Sequence, residues 1–339
     1  MQWDYAIDAG SAVMRLCSRT QLELYRESSL TAQRVSKETP FAWGDRAYEI
    51  YGREPEGIFI RRAVKAGLPN DVPLLAKWVR RLTDDGDKRA LRRASVLIAL
   101  APSVHPDTVM ELERCLLEEE VEEYSFVSSD FACAVGAGKQ PLDAEGTLIV
   151  DFGAAHITAT LYAGGRVVRT ETLNAGVDAI DEAIMRVARE QLGCAVGPHT
   201  AQKIRMDLAS AEGMSGEVMC AHPAYDFDSS LPRVREFSAA MVNACVDEVV
   251  NKLTEALTHM ISFAPVGLAE DLCRHGITLA GGGANLFGLD RRLERALGVP
   301  VRAAEKPEEC VIRGLQTMLN QPELYQLLVY GGAAEKRHA

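Results

Sequence analysis

The chain has 339 residues, 47% hydrophobic and 25% charged, which is enough for one large or two mid-sized domains and too apolar for a disordered polypeptide. Lys and Arg total 37 against 48 Asp and Glu, a formal net charge of -11 that argues against a general binder of nucleic-acid backbone, so no nucleic-acid partner is expected. Eight scattered cysteines, with no C-x-x-C pair and no zinc-like Cys/His spacing, exclude a disulfide-stapled miniprotein and point to a reducing cytosol.

In chain order, Tyr5 to Gly10 followed by Ser11 to Cys17 reads as a strand, a tight Gly turn and a second strand. The stretch from about Ser29 to Ala66 reads as a small inserted subdomain. Val96 to Ala101 is a short buried strand, and Pro106 to Glu119 carries Val109, Leu112, Leu116 and Leu117 at helical spacing. Leu148 to Gly153 then repeats the first unit: it turns through small residues into Ile157 to Tyr162, with Asp151 in the place of Asp8. Two related halves are the economical explanation.

Further along, Val177, Ile180, Ile184, Val187 and Ala188 stripe a helix that ends at Gly193, and Cys194 to Arg235 is polar and turn-rich, a second inserted subdomain. Phe237 to Phe263 reads as a long helix closed by Pro265. Gly276 to Ala280 gives a strand, Gly281 to Gly283 a turn, and Leu286 to Leu297 a helix. Leu324 to Val329 is a last helical pattern before a polar tail expected to be disordered. No apolar run approaches the roughly 18 residues of a membrane span, and MQWDYAIDAG lacks the features of a signal peptide, so a cytoplasmic location is expected.

A carboxylate at a strand end, two residues before a Gly turn, holds magnesium through water while the glycine lets backbone N–H groups approach a phosphate. One Asp-x-Gly is an ordinary hairpin in most chains. Two in matching contexts, followed by Gly281-Gly282-Gly283 entering a helix, point to a nucleotide cleft between two α/β domains.

Ordered matches along nearly the whole chain resemble the MreB class of bacterial actin homologues, within the actin, sugar-kinase and heat-shock-chaperone ATPase superfamily. Ala42 to Gly57 is similar to the family's V-G-x-x-A-x-x-M-x-G-R-T-P-x-x-I, and Pro102-Ser103 to the end of its C-V-P-S strand. Asn174 to Ile184 resembles G-D-x-x-D-x-A-I, Thr200 to Ile204 resembles T-A-E-x-I-K, and Gly276 to Asp290 resembles G-I-x-L-T-G-G-G-A-L-L-x-G-L-D. The resemblance implies an actin-like α/β fold with two related domains, each carrying a smaller inserted subdomain. Domain I would span 1–145 with an insertion at about 29–66 and a returning segment at 312–330. Domain II would span 146–311 with an insertion at about 177–237, and 331–339 would be a flexible tail.

The resemblance also implies ATP with Mg2+, homopolymer filaments or copolymers with a second homologue, and cell-wall elongation proteins as partners in setting rod shape. By matched position, Asp8 and Asp151 would hold the water shell of magnesium, and Asp151 would also serve catalysis. Gly10, Ser11, Ala12 and Val13 would line the first phosphate loop and Gly153, Ala154, Ala155 and His156 the second. Gln202, Lys203 and Arg205 would lie at the nucleoside, and Gly281, Gly282, Gly283 and Ala284 beside the adenine.

Three departures fall in the chemistry. Where the family reads D-I-G-G-G-T-T-E, this chain has two alanines and His156, and a Cβ at a position needing φ > 0 costs about 1 kcal/mol or more. The family's water-positioning Glu corresponds to Ser129, with Asp130 next to it as a carboxylate, so hydrolysis is expected to be slow at most. Trp3 and Tyr5 are the N-terminal candidates for contact with the inner membrane face, together with a basic turn at Leu82 to Ala94 around Leu91. The departures leave a degenerate scaffold or copolymer partner as the rival reading. A small-molecule kinase would need a base carboxylate and substrate insertions that are not found.

Overall fold

The computed structural model describes residues 3–37, 39–65, 67–85, 94–213 and 218–331. The chain divides into two compact units, one built from 1–141 with 308–339 and the other from 142–307. The basic residues 88, 89, 92 and 93, with Leu91, and the tail beyond Gly331 lie outside the described residues.

In the first unit, β1 (Tyr5–Ala9) and β2 (Val13–Ser18) form an antiparallel hairpin flanked by β3 (Tyr25–Ser28), while β4 (Val96–Leu100) and β5 (Tyr124–Ser128) add in parallel, giving the order β5-β4-β1-β2-β3. All five β4 side chains are buried, as a central parallel strand requires. Ile7, Met14, Leu16, Ile98 and Phe126 meet the helix Val72–Asp85, where Leu75, Trp78 and Leu82 form the facing stripe. The helix Cys310–Asn320 crosses Ser129–Gly136 so closely that a Cβ on Gly314 would lie 1.7 Å from the carbonyl oxygen of Ala132, and one on Gly136 1.7 Å from that of Cys310. Glycine at these crossing points ties the C-terminal segment into this unit. A small sheet of Leu30–Arg34, Ala42–Trp43 and Ile58–Arg62 makes the insertion, with Leu30, Ala32, Ala42 and Ala47 as its own core.

The second unit repeats the plan. Its strands β6 (Thr147–Phe152), β7 (Ile157–Ala163), β8 (Arg166–Leu173), β9 (Ile277–Ala280) and β10 (Val301–Ala303) lie in the order β8-β7-β6-β9-β10. Matching position by position, β6 stands for β1 and β9 for β4, so the repeat seen in the sequence is a repeat of whole sheets. The helix Val177–Leu192 ends at Gly193 in the left-handed conformation, φ 61°, where a glycine C-cap belongs.

Three expectations are corrected here. The long helix begins at Ala239, not Phe237: Phe237 is a fully buried strand residue of Leu231–Ser238, and Ser238 caps the helix by accepting the N–H of Met241. The 194–235 segment is regular, not turn-rich, forming the helix Pro198–Leu208 and the hairpin Met219–Asp226 with Leu231–Ser238. Its polarity is that of a hairpin with one solvent face. The helix expected from Leu286 begins at Leu289, after a 3-10 turn at Gly282–Asn285, and a further helix, Val266–His275, lies between the long helix and β9.

Candidate functional site

In the first unit the turn between β1 and β2 is anchored from several sides. The N–H of Gly10 donates to the carbonyl of Val13 at 3.1 Å, and a Cβ on Gly10 would come within 2.7 Å of that oxygen. Ser11 is buried: its carbonyl accepts from Arg62 at 3.0 Å and from the Ser29 hydroxyl, and its hydroxyl accepts the N–H of Gly67 at 3.3 Å. The carbonyl of Ala12 accepts the N–H of Ser29 at 2.9 Å. The entry and exit of the insertion therefore fix the shape of the loop.

Asp8 stands at the end of β1, opposite Arg15 in register and beside Ala99. The Arg15 guanidinium donates to Asp8 at 3.1 Å, with side chains only 10% and 12% exposed. Burial raises the Asp8 carboxyl above its ordinary range, and the charge and hydrogen bond of Arg15 act against that rise. Sequence reasoning missed Arg15. Its signal was present: a lone charge inside the apolar run Val-Met-Arg-Leu-Cys, which the Gly10 hairpin places across from Asp8.

Ser129 opens the helix Ser129–Gly136, half-buried, its hydroxyl 3.3 Å from Asp130, which is 3% exposed. Trp3, 1% exposed with its carbonyl held by Arg19 at 3.0 and 3.2 Å, belongs to the core and does not reach a membrane surface.

In the second unit Asp151 is the penultimate residue of β6, partly exposed, between Thr158 and Ala280. Behind it lies Gly281 at φ 78°. A Cβ there would stand 2.3 Å from an Asp151 carboxylate oxygen and 2.5 Å from the carbonyl of Phe152. Gly283 packs on the Phe152 ring, where a Cβ would come within 2.3 Å, whereas Gly282 is exposed with open space around it. Two of the three glycines thus answer to Asp151 and Phe152, and Gly282 is the one free to face a ligand. Ala284 is 6% exposed and belongs to the hydrophobic core.

The loop from Gly153 to His156 closes through the N–H of Gly153 on the carbonyl of His156 at 3.0 Å. The first N–H groups of the helix Val177–Leu192 support it: Val177 donates to Gly153 at 3.2 Å and Asp178 to Ala154 at 2.7 Å. Gly176 lies against the same loop, where a Cβ would be 2.4 Å from the Ala154 carbonyl. Among the described residues only Glu120, Ser230 and Lys306 are non-glycine positions with positive φ. Ala154 and Ala155 therefore sit in ordinary backbone, and the strain expected of them is absent. The His156 imidazole folds beside Gly153, its ring 3.7 Å from where a Cβ would project.

On the helix Pro198–Leu208, Gln202 is half-buried, Lys203 exposed, and Arg205 pairs with Asp181 at 2.7 Å. The chain leaving this helix bonds to the segment after the triple glycine, with the N–H of Ala211 on the carbonyl of Phe287 at 2.9 Å. This joins the two stretches assigned to the nucleoside.

The turns suit a phosphate chain: backbone is shaped around Gly10 and Gly153, and Gly282 is bare. For magnesium the fit is uneven. Asp151 is partly exposed and suits a contact through water, and Asp8 is buried against the Arg15 guanidinium.

A family model described as MreB/Mbl protein matches residues 2–326. The chain belongs to the MreB/Mbl family. Cell shape-determining protein MreB of Escherichia coli K12 is 27% identical over 320 residues, covering 92% of this chain and 91% of the relative. Cell shape-determining protein Mbl of Bacillus subtilis 168 is 24% identical over 322 residues, covering 94% and 96%. Among solved structures, MreB5 of Spiroplasma citri bound to ADP superposes with a TM-score of 0.88 at 22% identity, over 94% of this chain and 96% of that one. The MamK double helical filament gives 0.75 at 17% identity, over 93% and 98%. The fold is actin-like. Among the described residues no helix is long and apolar enough to cross a membrane.

Proposed function

We propose that this MreB/Mbl family member binds ATP with magnesium and assembles into filaments that organise cell-wall synthesis and set rod shape. The observation that carries this reading is the duplicated hairpin, Asp8 opposite Arg15 and Asp151 opposite Thr158, each at the same place in sheets of one order. The solved MreB5 structures hold ADP and AMPPNP, and MamK forms a double helical filament, which supports the same behaviour here. Gly10 to Val13 and Gly153 to His156 serve as the phosphate loops, Gln202 and Lys203 face the nucleoside, and Gly282 meets the base. Arg205 acts through Asp181 to hold the nucleoside helix.

Bound magnesium would supply charge neutralisation of the phosphates, and Asp151, the more exposed of the two carboxylates, would hold it through water. In the first unit Arg15 offsets the charge of Asp8. Hydrolysis is slow, because Ser129 brings a hydroxyl where a base is needed and its neighbour Asp130 is buried. The protein works in the cytoplasm at the inner face of the membrane, with itself or a second homologue as polymer partner and cell-wall elongation proteins as clients.

Calorimetric titration with Mg·ATP tests the reading, with Asp151→Ala as the control and electron microscopy of the saturated sample. Saturable binding lost in the control, with filaments, supports it. No binding up to millimolar ATP moves the chain to a nucleotide-independent scaffold.

A further inference from the structure

Among the described residues, one set of potential metal ligands converges among residues assigned to neither phosphate loop: the ligand atoms of Asp207, Cys220 and His222 all lie within 4.8 Å of one another. The placement follows from elementary geometry. Cys220 and His222 are two residues apart on Met219–Asp226, so the pleat puts both on one face, and Met219, Ala221 and Pro223 between and around them are exposed on the other. Asp207 sits in the last turn of the helix that this inner face packs against, and His222 Nε2 lies 2.9 Å from an Asp207 oxygen. The His222 side chain is 14% exposed, whereas that of Asp207, its hydrogen-bond partner, is 52% exposed. The cation opposite His222 across the hairpin, Arg235, is committed to Asp226. It therefore leaves the trio without that countercharge.

We propose that Asp207, Cys220 and His222 form a three-ligand site for a zinc-type divalent ion, with solvent at the fourth position. Thiolate, imidazole and carboxylate together suit a borderline-soft, tetrahedral ion and do not suit magnesium or calcium, which take oxygen donors. On binding, Cys220 releases its thiol proton to solvent and its sulfur donates to the ion. Imidazole and carboxylate complete the protein ligands with no redox change. An ion with bonds of about 2.0–2.3 Å would replace the hydrogen bond between His222 and Asp207 and part those two atoms slightly, a movement the exposed Asp207 side chain can provide. Linear spacing concealed the site, because its members lie on a helix end and alternate strand positions.

The test is titration of metal-free, full-length protein with Co2+, read by the thiolate-to-cobalt charge-transfer band, followed by displacement with Zn2+. One Co2+ per chain is expected. The band should vanish in Cys220→Ser, affinity should fall at least tenfold in His222→Gln and in Asp207→Asn, and Cys273→Ser, which removes an exposed thiol on another helix, should change nothing. Zn2+ should raise the wild-type Tm by several degrees and leave that of His222→Gln unchanged. Absence of the band at one equivalent in the wild-type protein overturns the proposal without recourse to any variant, as does a band that survives in Cys220→Ser. Neither result bears on nucleotide binding, which is measured separately.

Discussion

The two Asp hairpins share a turn, a register and a sheet order, yet their carboxylates live in different surroundings. Asp8 is buried against Arg15, and the strand beside it runs on from Ala99 to Leu100. Asp151 faces Thr158, remains half-exposed, and the strand beside it stops at Ala280 so that Gly281 can pass behind the carboxylate. The duplicated scaffold is the same in both halves, while the surroundings of the two carboxylates differ. The first half buries its carboxylate against its own guanidinium, and the second leaves its carboxylate partly exposed to solvent.

The largest effect should come from breaking the feature that belongs to Asp151 alone. Gly281→Ala forces a Cβ into a left-handed backbone and against the Asp151 carboxylate, costing about 3 kcal/mol of stability, and Mg·ATP binding should go with it. Gly282→Ala, in open space at an ordinary φ, should cost under about 1 kcal/mol. Thermal unfolding of the pair checks this; equal losses would show that the contact with Asp151 is unimportant.

Breaking the first half comes next. Arg15→Ala leaves Asp8 buried without its guanidinium, a loss of about 2–3 kcal/mol at neutral pH. The loss should depend on pH. Below the ordinary carboxylate value of 3.8 both folded and unfolded Asp8 are protonated, and its burial carries no charge penalty. As pH rises the unfolded chain ionises first, so a carboxyl raised in the folded state drains stability until it too ionises. Removing Arg15 raises it further and extends that loss upward, so the gap between variant and wild type should widen from pH 4 to pH 7. Chemical denaturation across that range checks this, and Asp8→Asn in the Arg15→Ala background should flatten the profile.

How legible this was in the sequence varies by region. The hairpins of β1–β2 and β6–β7 were readable to within a residue or two, because alternation, a Gly turn and an Asp at a fixed offset all agree. The start of the long helix was misread because Phe237 fits a helical stripe as well as a strand, and the better signal was Ser238 three residues before Met241. The triple glycine was visible as a motif. Its division into two glycines that serve Asp151 and Phe152 and one that faces outward depends on packing between β6 and β9, which no local pattern encodes. Arg15 needed only the register, but an arginine in a buried strand is legible only once its partner is placed.

Exchanging the roles of the two carboxylates gives a smaller effect. Asp151→Asn should weaken Mg·ATP binding about tenfold, roughly 1.4 kcal/mol, and remove most of its dependence on magnesium. Asp8→Asn should cost less than half of that free energy, because Arg15 remains to meet negative charge. Titrations with Mg2+ and with excess chelator measure both, and a larger loss in Asp8→Asn would reverse the assignment of the working carboxylate.

The smallest effect tests the second loop. If Ala154 and Ala155 replaced glycines at a cost in strain, restoring glycine would stabilise the protein. Neither adopts positive φ, and the loop already receives the N–H groups of Val177 and Asp178 and the close approach of Gly176. Each alanine-to-glycine change therefore frees the unfolded chain without relieving anything in the folded one, and should lose about 0.5–1 kcal/mol. Denaturant melts of Ala154→Gly and Ala155→Gly decide the sign: a gain in stability would mean that the backbone of this loop is strained after all.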